Sequence, residues 1–513
     1  MGQNFIACDR GQTFLLPPSL TDWLAEDHLV WTVLGAVDQM DLDRFYGVYR
    51  ANGQGRAASD PRMMVGLLLY AYCVGVRSSR QIERACRGDV AFRVITAMEV
   101  PDHSTVAELR RRHEILVGEL FVEVLSLCAE AGLVRVGEIA VDGTKLHASA
   151  SYDRNRGYAS IVEEILEQAE QTDREEDERF GDARGDELPE PLRTRDGRRA
   201  ALQAARERMQ AEREARQAAG EQVIDRIKLD LDPARFVTRP QGRRAWLREG
   251  RRILDAQREQ QPRPVPRGRE ERLVEVRRRL DEELAFTHAA NRAYEHHRAT
   301  GRMSNGRRLG APPHPYVAPL VPEGKINTTD PDSAVMIQQG QPPMQGYNAQ
   351  AAVTTNQIII AAEVVRTPPD YGQLEPVVRA ALRELQQAGV HEMPGTVLAD
   401  AGYWHKEQIE RLVSDGMQVL VPPDSGLREG ARPGWEGGFY DFMRRVLSTD
   451  AGHALYAKRK HSIEPVFGQI KGNRRIDRFQ RRGRPAARSE WRLIAASHNL
   501  LKLHSHWITP ATG

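Results

Sequence analysis

Three acidic residues, Asp142, Asp400 and Glu464, are the side chains whose types and placement can do chemistry in this sequence. Asp142 closes the apolar run of GEIAVDGT (137–144), and Asp400 closes that of GTVLAD (395–400). Short apolar runs bounded by turn residues read as buried strands. Acidic residues at the carboxyl ends of such strands project from one edge of a sheet. Glu464 falls in a late helical stretch that can pack beside that edge. Three carboxylates gathered there repel one another unless cations neutralise them, and oxygen donors of this kind select Mg²⁺ or Mn²⁺. Two such ions about 3.5–4 Å apart can activate water or a 3′-hydroxyl and stabilise the leaving oxygen in phosphodiester transfer. Each residue alone has a blander reading: an Asp after a strand is more often a turn or cap residue, and a helical Glu is usually solvated. Asp330, Asp332 and Asp370 are acidic alternatives, and Asp330-Pro331 reads first as a turn.

The elements that must position these residues follow from the apolar pattern. Residues 16–130 read as helical, with starts at Ser19 or Thr21, at Asp60-Pro61, at Ser78 or Ser79, and at Asp102-His103-Ser104-Thr105. The last opens a helix carrying Arg110, Arg111 and Arg112, and with the one before it resembles a helix-turn-helix. An ordinary bundle with a solvated basic face is the competing reading. Tyr347 to Val353 and Ile358 to Val365 read as a hairpin around Thr354–Gln357. Helices are expected at Leu374–Ala388, Trp404–Ser414 and Trp491–His504, a strand at Met417–Val421, and a glycine-rich loop at Gly426–Gly438. On an unbroken helix Lys460, Glu464 and Lys471 share one face; proline is comfortable only in the first turn of a helix, so Pro465 offers the alternative that the helix begins at Ser462 and leaves Lys460 outside it.

The chain has 513 residues, a net charge of +2 and 40% hydrophobic residues. At roughly 100–200 residues per domain this allows two to four domains. Residues 161–300 hold 30 Lys+Arg and 31 Asp+Glu, a composition of solvent-exposed helices with alternating charge. That stretch reads as an inserted helical arm, with helical segments at Ala200–Ala218 and Arg269–Ala290, and it lacks the clean heptads of a coiled coil. Lys458 to Arg492 holds 12 Lys+Arg against 3 Asp+Glu, a density that suits phosphate contact. Near-neutrality is thus a cancellation and does not exclude nucleic acid. The four cysteines, Cys8, Cys73, Cys86 and Cys128, show no metal-ligand spacing. With no apolar run of about 18 residues and no signal peptide, a cytoplasmic location and no membrane partner are expected. Phe479 and Trp491 read as core, and Tyr403 and Trp404 as core in preference to base-stacking groups. His147 and His405 are expected near the acidic site without being ligands.

The neighbourhood of Glu464 is specific. It reads YAKRKHSIEPVFGQIK from Tyr456 to Lys471. This resembles the Tyr-Arg-Glu-Lys motif of bacterial insertion-sequence transposases of the DDE class, in which Tyr, two residues, Arg, three residues, Glu, six residues, Lys is the pattern. Tyr456 to Arg459 and Glu464 to Lys471 match those gaps. Arg459 to Glu464 is one residue longer than the pattern, and Lys460 gives the expected gap. VDGTKLHASAS (141–151), INTTDPDSAV (326–335), QGYNAQAAV (345–353), LADAGYW (398–404) and HNLLKL (498–503) are similar to further blocks of that family. Residues 16–115 resemble the helical domain that often precedes its catalytic core.

The resemblance implies an α/β RNase H-like core, a mixed sheet flanked by helices, over 131–510. An all-α N-terminal domain (1–130) precedes it, and a charged helical insertion (155–325) interrupts it. It implies Asp142, Asp400 and Glu464 as a metal-binding triad for two Mg²⁺ or Mn²⁺ ions, and cleavage at transposon ends followed by strand transfer. Double-stranded DNA is the expected partner, contacted by Tyr456, Arg459, Lys460, Lys471, Arg474, Arg475, Arg478, Arg110 and Arg111. Synapsis of two ends makes a homodimer the expected assembly. An RNase H-like nuclease without strand transfer and a catalytically silent DNA-binding derivative are the alternatives.

Overall fold

The computed structural model describes residues 19–49, 58–180, 242–260, 263–301, 319–338, 340–424 and 437–508, with positions 207, 236, 306 and 307. Ala200–Ala218, except position 207, and the loop residues 426–436 lie outside them. A 3₁₀ turn at Leu20–Trp23 is followed by α1 (Leu29–Gln39), α2 (Asp43–Tyr46), α3 (Pro61–Cys73), α4 (Ser79–Gly88), α5 (Val90–Ile95), α6 (His103–Arg112) and α7 (Glu114–Glu130). Caps fix the boundaries read from sequence. Asp60 accepts from Met63 N with Pro61 in the first turn, and Asp102 accepts from Thr105 N. The first long helix starts later than Ser19 or Thr21, because His28 Nδ1 caps it by accepting from Val30 N at 3.2 Å.

Strand β1 (Glu138–His147) then enters the sheet. The chain continues through β2 (Asn155–Gly157), α8 (Tyr158–Phe180), α9 (Gly242–Gln260), α10 (Arg269–Thr300) and β3 (Lys325–Asn327). It returns through β4 (Ala334–Met336), β5 (Met344–Thr354), β6 (Ile359–Val365), α11 (Leu374–Gln387), β7 (Thr396–Ala399), α12 (Lys406–Ser414) and β8 (Gln418–Leu420). It ends with α13 (Gly438–Leu447), α14 (Asp450–Gly468), a π turn at Gln469–Asn473 and α15 (Arg484–Ile508). Two compact units result: residues 1–149 with 335–513, and Ala150–Ala334. The N-terminal helices therefore share a unit with the main sheet.

That sheet is mixed, with the order β5-β1-β7-β8 and with β4 and β6 both against β5. β1 runs antiparallel to β5 and parallel to β7. The hairpin read from sequence is present. Its turn is closed by Thr354 N donating to Ile358 O at 2.9 Å, with Gln357 in the left-handed region (φ 64°). α15 is buried along much of its length because it packs on α7, α3 and β6. Within this packing Arg492 is buried. It donates to both carboxylate oxygens of Glu384 on α11 (2.5 and 2.8 Å) and to Gly118 O of α7 (2.8 Å). Its guanidinium lies 5.1 Å from the Phe121 ring centre. Removing one member of a buried pair leaves the other charge desolvated and unpaired, so Glu384→Ala should destabilise the protein by about 3–5 kcal/mol. The urea midpoint reads this directly; a midpoint unchanged from wild type would overturn the assignment.

The second unit has cores of its own. Trp246, Phe286, Ala290 and Tyr294 pack between α9 and α10, and Trp246 Nε1 donates to Ala290 O at 3.0 Å. Ile161, Leu273, Val276, Leu280 and Ile326 form another cluster. Buried Arg279 bonds Asp332 at 2.5 Å and Glu275 at 2.9 Å. Asp330 is buried beside Asn327, whose Oδ1 accepts its N–H at 3.1 Å. Asp330 and Asp332 thus serve this unit's structure.

Candidate active site

The sheet edge carries the acidic residues because of register. Val141 of β1 lies opposite Ala399 of β7 in a parallel pair. β7 stops there, so Asp142 and Asp400 emerge side by side. β1 continues along β5, with Asp142 opposite Ala351. Asp400 caps the 3₁₀ turn Ala401–Tyr403, accepting from Gly402 N at 2.8 Å. Asp142 accepts from Gly143 N at 2.8 Å and from Arg459 Nη1 at 2.9 Å. Burial pushes the Asp142 carboxyl up to about 6, against the pull of Arg459, and the nearby charges of Asp400 and then Asp370 push in the same direction.

Asp370, in the loop after β6, is the third carboxylate at this edge. It accepts from Lys145 Nζ (3.2 Å), Asn348 Nδ2 (2.8 Å) and Gln350 Nε2 (2.8 Å). Tyr403 Oη donates to Gln350 Oε1 and ties the turn after Asp400 into the same network. Gly143 makes room for this arrangement: a Cβ there would stand 2.3 Å from Gln350 Nε2 and 2.6 Å from Asp370 Oδ1. The sequence held a signal for Asp370. It follows a short apolar strand through a Pro-Pro turn, as Asp142 and Asp400 follow theirs, and polar Asn348 and Gln350 interrupt the apolar QGYNAQAAV run.

The helix bearing Glu464 is the unbroken one of the two that the sequence allowed. α14 starts twelve residues before Ser462, at Asp450, and runs through Pro465 to Gly468. Proline in a helix removes the N–H that would bond the carbonyl four residues back. Here that carbonyl, His461 O, accepts instead from Gln357 Nε2 at 3.1 Å. The β5–β6 turn supplies the donor that proline lacks. α14 packs on β1, with Ser462, Ile463 and Val466 buried and Arg459 reaching Asp142 of that strand. Arg459, not Lys460, is the basic residue beside Asp142, and Lys460 is exposed. Tyr456 lies half-buried under the Arg459 guanidinium, 5.8 Å from ring centre to Cζ. Burial raises its pKa, Arg459 lowers it, and Asp400 and Asp142 raise it.

Glu464 is exposed on the other side of α14, about 140° around the helix from Arg459 at 100° per residue. The structure therefore brings Asp142, Asp400 and Asp370 together and leaves Glu464 facing solvent. Among the described residues no three His, Cys, Asp or Glu side chains converge as a ready metal cage. Two features of the donor set nevertheless suit a hard cation. Asp142 and Asp400 offer oxygen ligands at adjacent strand ends, and burial, the main cause of the raised Asp142 carboxyl, disfavours its charge in a way that a bound cation would offset.

The remaining basic residues divide by burial. Lys471 reaches back to this edge and donates to Lys145 O at 2.9 Å. Arg475 and Arg478 are exposed. Arg474 is buried, donating to Ser497 Oγ at 2.7 Å. Arg110 is also buried and donates to Arg77 O (2.9 Å) and Ser79 Oγ (2.8 Å), so it holds the α3–α4 turn. Arg111 is exposed and paired with Glu108. Tyr403, Trp404, Phe479 and Trp491 are buried, as the core reading expected. His405 stacks on Tyr371 with ring centres 4.7 Å apart, and His147 bonds the chain at Asp477 and Phe479 through its backbone.

Two family models match the chain. A transposase domain (DUF772) matches residues 18–112, and a transposase DDE domain matches residues 337–500. Asp370, Asp400 and Glu464 lie within the second match, and Asp142 lies in neither. No curated protein and no solved structure matches.

Proposed function

Because the chain belongs to the insertion-sequence transposases of the DDE class, we propose that it binds the ends of its element, cuts them, and joins them to target DNA. A DDE domain implies an RNase H-like fold, and the mixed sheet flanked by helices accords with it. The observation that carries the reading is the emergence of Asp142 and Asp400 from adjacent parallel strands at one sheet edge, with Arg459 beside them.

In this reading Asp142 and Asp400 hold divalent cations, two Mg²⁺ or Mn²⁺, with Glu464 as the third ligand. Once bound, these ions supply Lewis-acid activation of the attacking oxygen and charge neutralisation at the leaving one. The chain's own residues do the positioning. Arg459 holds the Asp142 carboxylate in one orientation through a charge-assisted bond. Asp370 fixes Asn348, Gln350 and Lys145 behind the edge. Tyr456, Lys460, Lys471 and Arg478 contact phosphates flanking the cut, and Arg475 and Arg111 contact DNA further off. Arg110 acts from the interior, by shaping the backbone where it is buried, and buried Arg474 lends its charge to DNA contact beside Arg475. A homodimer synapses two ends. No helix among the described residues is long and apolar enough to cross a membrane. In this reading the protein works in the cytoplasm, on the nucleoid, because its substrate is there.

An assay with oligonucleotide element ends, supercoiled target and Mg²⁺ or Mn²⁺ tests the reading. Joined products are expected. Cleavage without joining would support the nuclease reading, and binding without cleavage the silent one.

A further inference from the structure

A polar cavity of about 540 Å³ lies apart from the acidic edge, where the α3–α4 turn meets the segment after the π turn. Arg77 and Gln81 line one wall, and Asn473, Arg474, Arg475 and Gln480 line the other. No acidic residue lines it. The walls touch closely: Gly75, at φ 78°, would place a Cβ 2.9 Å from Arg474 O. Arg475 holds a left-handed conformation (φ 54°), which a side chain rarely adopts, and it turns the chain at the cavity.

The donors here outnumber their acceptors. Arg474 is 7% exposed, and its Nε and Nη2 find no partner among the described residues. Those two atoms are themselves buried and Nη1 donates to Ser497 Oγ at 2.7 Å, so what the guanidinium offers the cavity is its positive charge, which favours an anion there. Arg475 makes no ion pair or hydrogen bond among the described residues, and it is exposed at the mouth. Arg77 is neutralised behind the cavity by Glu490 at 3.3 Å, so Arg474 and Arg475 supply the net charge. Gln81 lies in the first turn of α4, whose N-cap Ser78 makes no side-chain capping bond. That leaves the amide donors of the first turn without a side-chain acceptor, and the helix dipole adds positive potential there.

We propose that this cavity takes a backbone phosphate of a DNA strand, held between the N-terminal helices and the C-terminal segment. The inference rests on the reading that the chain acts on DNA. Guanidinium groups and amides bind phosphate oxygens without reading bases, so the site would fix the register of an end relative to the sheet edge. One strand would then be gripped by two parts of the chain distant in sequence.

Arg475→Ala and Gln81→Glu test the two walls. Both positions are exposed, and Glu in the first turn of a helix suits its dipole, so folding is spared. Fluorescence anisotropy with a labelled duplex end, over a range of salt, is the measurement. Each variant should bind about 3–10-fold more weakly, and Arg475→Ala should flatten the plot of log affinity against log salt by about 0.9, one phosphate's share. Arg379→Ala, on α11 and away from the cavity, should match wild type. Wild type that binds while both variants keep its affinity and salt slope would overturn the cavity but leave the transposase reading standing. Wild type that fails to bind any duplex would overturn both. Calorimetry with inorganic phosphate separates sources: Arg475-dependent uptake of free phosphate, with no effect of Arg475 on DNA, would make this a small-anion site and sink the strand contact.

Discussion

Asp400→Asn and Asp142→Asn should each lower end cleavage by about 10³-fold or more, equivalent to about 4 kcal/mol of barrier, while end binding stays within about twofold. The reason lies in what each substitution leaves intact. Asp400 caps the Ala401–Tyr403 turn through Gly402 N, and an Asn oxygen caps as well, so the turn survives while an anionic ligand is lost. Asp142 is an anion held against its own burial, so a neutral isostere relieves a desolvated charge. Neither change touches the exposed basic residues proposed to hold DNA. A labelled duplex end in Mg²⁺ or Mn²⁺ reads cleavage, anisotropy reads binding, and titration calorimetry with Mn²⁺ reads the ion directly. Both variants should lose Mn²⁺ heat. Cleavage at wild-type rate in either one would remove that residue from the chemistry.

Glu464→Gln should abolish cleavage to the same level, and Asp370→Asn should lower it by only about 10–100-fold, the scale on which residues that orient metal ligands act. This pair of variants is the sharper test, because motif and geometry pull apart. The motif puts Glu464 in the reaction, yet its side chain faces solvent across α14 from Arg459. Asp370 stands at the edge, bonded to Lys145, Asn348 and Gln350. An exposed helix position tolerates Gln within about 0.5 kcal/mol, so a loss of cleavage in Glu464→Gln cannot be a folding effect. Under this prediction Glu464 engages only when DNA or cation is bound. If Glu464→Gln cleaves normally and Asp370→Asn is dead, Asp370 is the third carboxylate and the motif is misread.

The sequence reading of α14 shows where local rules end. Pro465 left the start of this helix open between an unbroken run through Lys460 and a start at Ser462, since a proline ring forbids one backbone bond. The helix continues back to Asp450, because a residue more than one hundred positions earlier, Gln357, donates to the carbonyl left over. Arg110 shows the same limit. Its run of three arginines read as a basic face, but packing against Arg77 and Ser79 makes it interior. By contrast, caps at Asp60 and Asp102 and the β5–β6 hairpin were legible, because their bonds join residues within a few positions.

By itself the sequence determined which strands end in acid, which turns close them, and where the basic stretch begins, since each depends on neighbours along the chain. The motif from Tyr456 to Lys471 pointed to its family from residue types and gaps alone. Only the tertiary structure decided which carboxylates meet. Parallel pairing of β1 with β7 sets Asp142 beside Asp400, the side-chain-free Gly143 lets Asp370 approach, and the rotation of α14 turns Arg459 inward and Glu464 outward. Register, close approach and helix rotation are set by packing between segments far apart in the chain, and no local pattern encodes them.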